Sequence, residues 1–104
     1  MAYALIWTEY ASKDVREIAA YVAAHDSVSS AAAVVAAIAA SADRLADFPF
    51  SGRKVYGVLN PNLREIFVFG YRIVYVVDVD FVEVRMVRHT RRRFPPKKEM
   101  HRLR

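Results

Sequence analysis

Between Leu63 and His89 the sequence holds three runs of strand-forming residues, LREIFVF (63–69), YRIVYVVD (71–78) and FVEVRMVRH (81–89). They are rich in β-branched and aromatic side chains, and the breaks between them, at Gly70 and at Asp78-Val79-Asp80, are very short. Breaks that short exclude crossover helices and leave antiparallel neighbours as the solution. A further short strand is expected at Lys54–Val58, before a loop at Asn60-Pro61-Asn62.

The preceding half follows a different period. Ala2–Thr8 reads as a first strand through Leu5, Ile6 and Trp7. Ser12 is expected to cap a helix starting at Lys13, with Val15, Ile18, Ala19 and Val22 as its apolar stripe. His25-Asp26-Ser27 breaks the pattern, and Asp26 or Ser27 caps a second helix that runs to about Ala46. Nine of the sixteen residues from Ala31 to Ala46 are alanine, which favours helix and allows close backbone approach. Val34, Val35, Ile38, Ala42 and Leu45 form its buried side. Pro49 and Gly52 then turn the chain. The order β-α-α-β-β-β-β predicts an α+β fold, a helical hairpin on one face of a curved, mainly antiparallel sheet.

A chain of 104 residues, 55% of them apolar, has room for one core. It has no cysteine, which excludes disulfides and thiolate chemistry and fits a reducing cytoplasm. No signal-peptide pattern or membrane span is expected, and the alanine-rich stretch, broken by serines and Asp43, reads as a soluble helix. Charge is unevenly placed. Residues 1–50 carry three basic and six acidic side chains, a balance of −3; residues 51–104 carry thirteen and five, a balance of +8. That asymmetry favours an acidic partner, either nucleic acid or an acidic protein surface.

Parity within the strands sharpens the expectation. Tyr71, Ile73, Tyr75 and Val77 face one way; Arg72, Val74 and Val76 face the other, where Arg64, Ile66 and Val68 are expected to join them. If the helices cover the first set, the second is a valine-bearing open face rimmed by arginine, a groove for a partner. No nucleotide-binding fingerprint is present, and His25, His89 and His101 lack metal-ligand spacing, so neither cofactor nor metal is expected. The cluster Arg85, Arg88, His89, Arg91, Arg92 and Arg93 is a basic surface for a partner. Its catalytic alternative has Arg72 and Arg85 stabilising phosphate charge and His89 moving the proton, without a second proton carrier.

Over about residues 5–93 the chain resembles the RelE/ParE toxin superfamily, through IWTEYASKDVREIAAYV, the alanine-rich helix ending in LADFPFSGR, LREIFVFGYRIVY and VEVRMVRHTRR. GYRIVY followed by VRHTRR is closer to ParE than to the ribosome-dependent RelE ribonucleases. Arg64, Glu65, Arg72, His89 and Arg92 match positions of the superfamily pattern, but no tyrosine follows Tyr75, a departure from the ribonuclease branch. The resemblance implies a toxin domain over residues 1–93 with a basic tail at 94–104, belonging to a type II toxin–antitoxin system. It implies a growth-inhibiting, non-catalytic action on DNA gyrase and neutralisation by a ParD-like antitoxin. Operator DNA would be met only through that antitoxin. The alternative it leaves is a RelE-like mRNA endoribonuclease using His89 and nearby arginines.

Overall fold

The computed structural model describes residues 2–58 and 60–104. Strand β1 (Ala4–Trp7) leads into helix α1 (Glu9–His25), and Asp26-Ser27 connects it to helix α2 (Val28–Asp43), extended by a 3₁₀ turn at Arg44–Ala46. Strands β2 (Arg53–Lys54), β3 (Leu63–Val68), β4 (Tyr71–Val77) and β5 (Phe81–His89) follow, and a kinked 3₁₀ segment spans Lys97–Leu103. The sheet order is β1-β5-β4-β3-β2; only β1 runs parallel to its neighbour, β5. The expected α+β architecture is therefore present.

Local differences have physical causes. The first helix begins at Glu9, not Lys13, because the Thr8 hydroxyl accepts the Ala11 amide at 3.1 Å and donates to the Val84 carbonyl at 3.1 Å. One side chain thus caps the helix and ties it to β5. Ser27 caps α2 as expected, accepting from the Ser30 amide. Strand β2 is only two residues long, shorter than Lys54–Val58 suggested. Val28–Ala46 is long and apolar enough in composition to cross a membrane, but alanine supplies much of that character, and Ile38, Ala42 and Leu45 are buried in the protein.

The sheet is packed on both faces. Under the helices, Ile73, Val84 and Val87 meet Ala11, Ile38 and Ala42, with Tyr75, Val77, Val82 and Leu45 continuing the layer. On the other face Leu63, Val74, Val76 and Met86 are buried with Val55 and Leu103, flanked by Phe94 and Met100. A β-bulge at Arg85 permits this, since Val74 pairs with Met86 but Tyr75 pairs with Val84. The extra residue shifts side-chain parity within β5, so Val82 and Val84 face the helices and Met86 does not.

The β3–β4 connection is a two-residue turn, Phe69-Gly70, with φ of 47° and 79°. Such a turn needs left-handed backbone at both positions, and phenylalanine is a poor occupant of the first. Phe69 is also exposed, so packing does not offset the strain. Phe69→Asn should stabilise the protein by about 1 kcal/mol, read as a higher midpoint in urea. An unchanged or lower midpoint would remove the strain assignment.

Candidate functional site

Register decides which candidate residues share a surface. Val68 pairs directly with Tyr71, Ile66 with Ile73 and Arg64 with Tyr75, so all three lie on the helix-facing side. Ile66 and Val68 pack there against the Ala11–Ile38–Ile73 cluster. This corrects the expected open-face set: Arg64, Ile66 and Val68 do not accompany Arg72, Val74 and Val76. The two-residue turn makes residues three apart into direct partners, and Phe69-Gly70 was its visible signal. The β3 residues beside Arg72, Val74 and Val76 are Phe67, Glu65 and Leu63.

Nor is that face open. Val74 is 0% and Val76 5% exposed, because residues 94–103 fold back over the sheet. The basic tail expected at 94–104 supplies Phe94, Met100 and Leu103 to this core. Arg72 lies beneath it, its guanidinium 4.2 Å from the Phe94 ring centroid and 5.4 Å from that of Phe67. Its Nη1 donates to Glu65 Oε1 at 2.7 Å, and Arg53 Nε donates to the other carboxylate oxygen at 2.9 Å. Glu65 is thus buried yet doubly paired, while Arg72 Nε is buried without a hydrogen-bond partner among the described residues.

The C-terminal segment is fixed at the margin of β5, beyond the reach of β1. The Val87 amide donates to Asp14 Oδ2 at 3.0 Å. Arg102 donates to the same carboxylate at 2.5 Å, to Glu99 at 2.7 Å and to the Arg85 carbonyl at 3.1 Å. A helix carboxylate and a buried arginine therefore occupy backbone groups that an uncovered strand edge would leave available for pairing. Burial alone would lower the Arg102 pKa, but hydrogen bonds and charge from Asp14 and then Glu99 raise it. Burial would likewise raise Glu99, but Arg102 followed by Arg88 and Arg92 holds it below its ordinary value.

The basic cluster divides into separate neighbourhoods. Arg85 bonds Glu83 and the Arg104 carbonyl. Arg88 pairs across the strands with Arg72, and its Nε donates to the Arg93 carbonyl at 3.1 Å. Burial, then the neighbouring charge of Arg92, lowers its pKa. His89 pairs with Tyr71, on the opposite face from Arg72, and stands edge-on to that ring with centroids 5.1 Å apart. His89 Nδ1 accepts the Arg91 amide at 3.0 Å, so the neutral ring carries its proton on Nε2. Arg72, Arg85 and His89 thus form no common centre. Among the described residues there is no group of three or more potential metal ligands.

Two arrangements were missed in sequence. Gly52 sits against the buried Tyr75 hydroxyl, which accepts the Gly52 amide and donates to the Pro49 carbonyl, both at 2.9 Å. A cleft of about 580 Å³ lies between α1 and the end of β5, lined by residues including Tyr21, Tyr71, His89 and Arg92. Neither leaves a periodic trace, because each joins residues far apart in the chain.

Comparison with solved structures supplies the fold relationship. The chromosomal ParDE system of P. aeruginosa matches at TM-score 0.73 and 16% identity, over 85% of this chain and 96% of that one. The toxin–antitoxin complex RelBE2 of Mycobacterium tuberculosis matches at 0.64 and 19%, over 86% and 99%. A mutant of the E. coli toxin RelE in the free state matches at 0.65 and 22%, over 97% and 92%. No curated protein sequence matches the chain. Residues 5–94 match the family described as the ParE toxin of the type II toxin–antitoxin system parDE. With that match spanning nearly the whole sheet and both helices, the chain belongs to the ParE toxin family, within the RelE/ParE superfamily of type II toxins.

Proposed function

We propose that this toxin arrests growth by poisoning DNA gyrase and is neutralised by a ParD-like antitoxin whose segment takes the sheet face now held by residues 94–103. The observation that carries the first half is the family match over residues 5–94. The dispersal of Arg72, Arg85 and His89 supports a non-catalytic mode over the ribonuclease alternative, since metal-free RNA cleavage needs proton transfer and phosphate stabilisation at one point. The family match supports an antitoxin partner, and operator DNA is then reached through that partner.

For the second half, the sheet face of Arg72, Val74 and Val76 has the composition of a partner site and is covered by a kinked 3₁₀ segment that adds no strand to the sheet. An antitoxin segment would place apolar side chains where Phe94, Met100 and Leu103 sit, and carboxylates near the exposed Arg91–Arg93 turn. Val74 is too deeply buried to test this by a charged substitution, which would unfold the sheet.

Purified toxin, free of antitoxin, should inhibit gyrase supercoiling and leave ribosome-bound mRNA intact. Specific mRNA cleavage that disappears in His89→Ala would replace this assignment with the ribonuclease one. Phe94→Ala, which removes a lid contact over Arg72, should tighten antitoxin binding by about threefold to tenfold, because less self-contact is displaced. Weaker binding would show that the antitoxin docks on the lid itself.

A further inference from the structure

Strand β1 stops pairing at Trp7–Val84, so the last part of β5 has α1 as its neighbour on that side, and the cleft of about 580 Å³ opens there. Its volume is that of a small-ligand site, large enough for a nucleotide and too small for a duplex. The charges lining it are unequally committed. Asp14 is occupied by the Val87 amide and Arg102, and Glu17 faces Lys13 at 3.9 Å. Arg91 and Arg92 are exposed, and their side chains make no ion pair among the described residues. His89 adds an Nε2–H donor, because Nδ1 already accepts from the Arg91 amide. Tyr21 brings an aromatic surface: it is 62% exposed and stacked on His25, centroids 4.0 Å apart and planes 18° from parallel. The His25 ring is held there by its own bond, Nδ1 donating to the Tyr21 carbonyl at 2.9 Å, while the Tyr21 ring lines the cleft.

We propose that this cleft binds single-stranded nucleic acid directly, with a phosphodiester held by Arg91, Arg92 and His89 and a base stacked beside Tyr21. Uncommitted arginines next to an exposed aromatic ring are the two components of sequence-tolerant strand binding. An acidic peptide would use the arginines but has no use for the exposed Tyr21 ring in the cleft lining. The contact is made by the toxin alone and does not rest on gyrase being the target. DNA and RNA share the phosphodiester and the base, so both sugars are tested.

Fluorescence anisotropy of labelled dT12 and rU12 with the full, antitoxin-free chain, from 50 to 200 mM NaCl, provides the measurement. Arg91→Ala/Arg92→Ala should weaken binding about tenfold or more and lower the salt slope by about 0.7, the share of one neutralised phosphate on a single strand. Tyr21→Ala should weaken it about fivefold to tenfold with the slope unchanged. Lys97→Ala/Lys98→Ala removes the same charge away from the cleft and should stay within about twofold. Equal loss in the lysine pair, or no loss in Tyr21→Ala with circular dichroism confirming the fold, would reduce the binding to general charge attraction and overturn the proposal. Absence of binding to either oligonucleotide at 50 mM salt would overturn it too, as would complete competition by an equally charged poly-glutamate peptide, which assigns the cleft to an acidic protein. Preference for one oligonucleotide supports the cleft and identifies the sugar it takes.

Discussion

Gly52→Ala should destabilise the toxin by about 3 kcal/mol, lowering its melting temperature by about 15 °C. A Cβ at this position would collide with the Tyr75 hydroxyl and approach the Glu65 carbonyl to 2.7 Å. Neither neighbour can give way easily. Tyr75 is 0% exposed with its hydroxyl bonded to two backbone groups, and the Glu65 carbonyl belongs to β3. Tyr75→Phe alone leaves the Gly52 amide and the Pro49 carbonyl without that partner, at about 1–3 kcal/mol. Combined with Gly52→Ala it should cost less than the sum, since one of the two clashes is gone. A Gly52→Ala protein within about 1 kcal/mol of the parent would mean the 49–52 turn can shift freely. Burial raises the Tyr75 pKa against the opposing effects of Gly52, Arg64 and Ser51. The folded state thus keeps the phenol protonated while the unfolded chain ionises, so stability present below about pH 10 is lost as pH rises further.

Asp14→Ala should cost about 2–4 kcal/mol, measured by urea unfolding with a signal from the Met100 methyl group. It leaves the largely buried Arg102 with Glu99 as its remaining ion-pair partner and strips the Val87 amide of its acceptor. Adding Arg102→Met should recover part of the loss, because an apolar side chain there no longer carries an uncompensated charge. A double variant worse than Asp14→Ala would contradict that account. Acid acts on the same joint. Glu99 is held below its ordinary value of 4.5, so its contribution is present above that pH and is lost as pH falls through the lower folded value. Glu99 is 37% exposed, and solvent screening keeps this part below about 1 kcal/mol.

The layer order was legible because periodicity reports it directly: alanine-rich helical spacing, then alternating valines with breaks too short for crossovers. The parity of β4 was also correct, placing Tyr71, Ile73, Tyr75 and Val77 beneath the helices. Parity across the hairpin failed because it was assigned by composition, whereas the two-residue turn makes Val68 the partner of Tyr71. The start of α1 was missed because Thr8 is chosen as the cap by the Val84 carbonyl, a contact 76 residues away. The covered sheet face escaped for a related reason. Phe94, Met100 and Leu103 are scattered among charges and read as a solvated tail, and only the fold reveals that Asp14 and Arg102 anchor them. The basic cluster was visible as composition, but the bulge at Arg85 and the tight register distribute it over both faces.

Every residue from Ile73 to Val77 is buried, alternately against the helices and against residues 94–103, while both edges of β4 are paired with β3 and β5. The backbone of this strand is therefore shielded independently of the side-chain layer that the C-terminal segment completes. If that segment lifts, water reaches Val74 and Val76 while the β4 amides keep their ladder partners. Amide deuterium uptake in β4 would stay slow throughout, at the rate set by global unfolding. Opening of this face is consequently invisible to backbone exchange in the strand that forms it, and shows itself in the valine methyl groups and in the exchange of the Arg102 guanidinium protons.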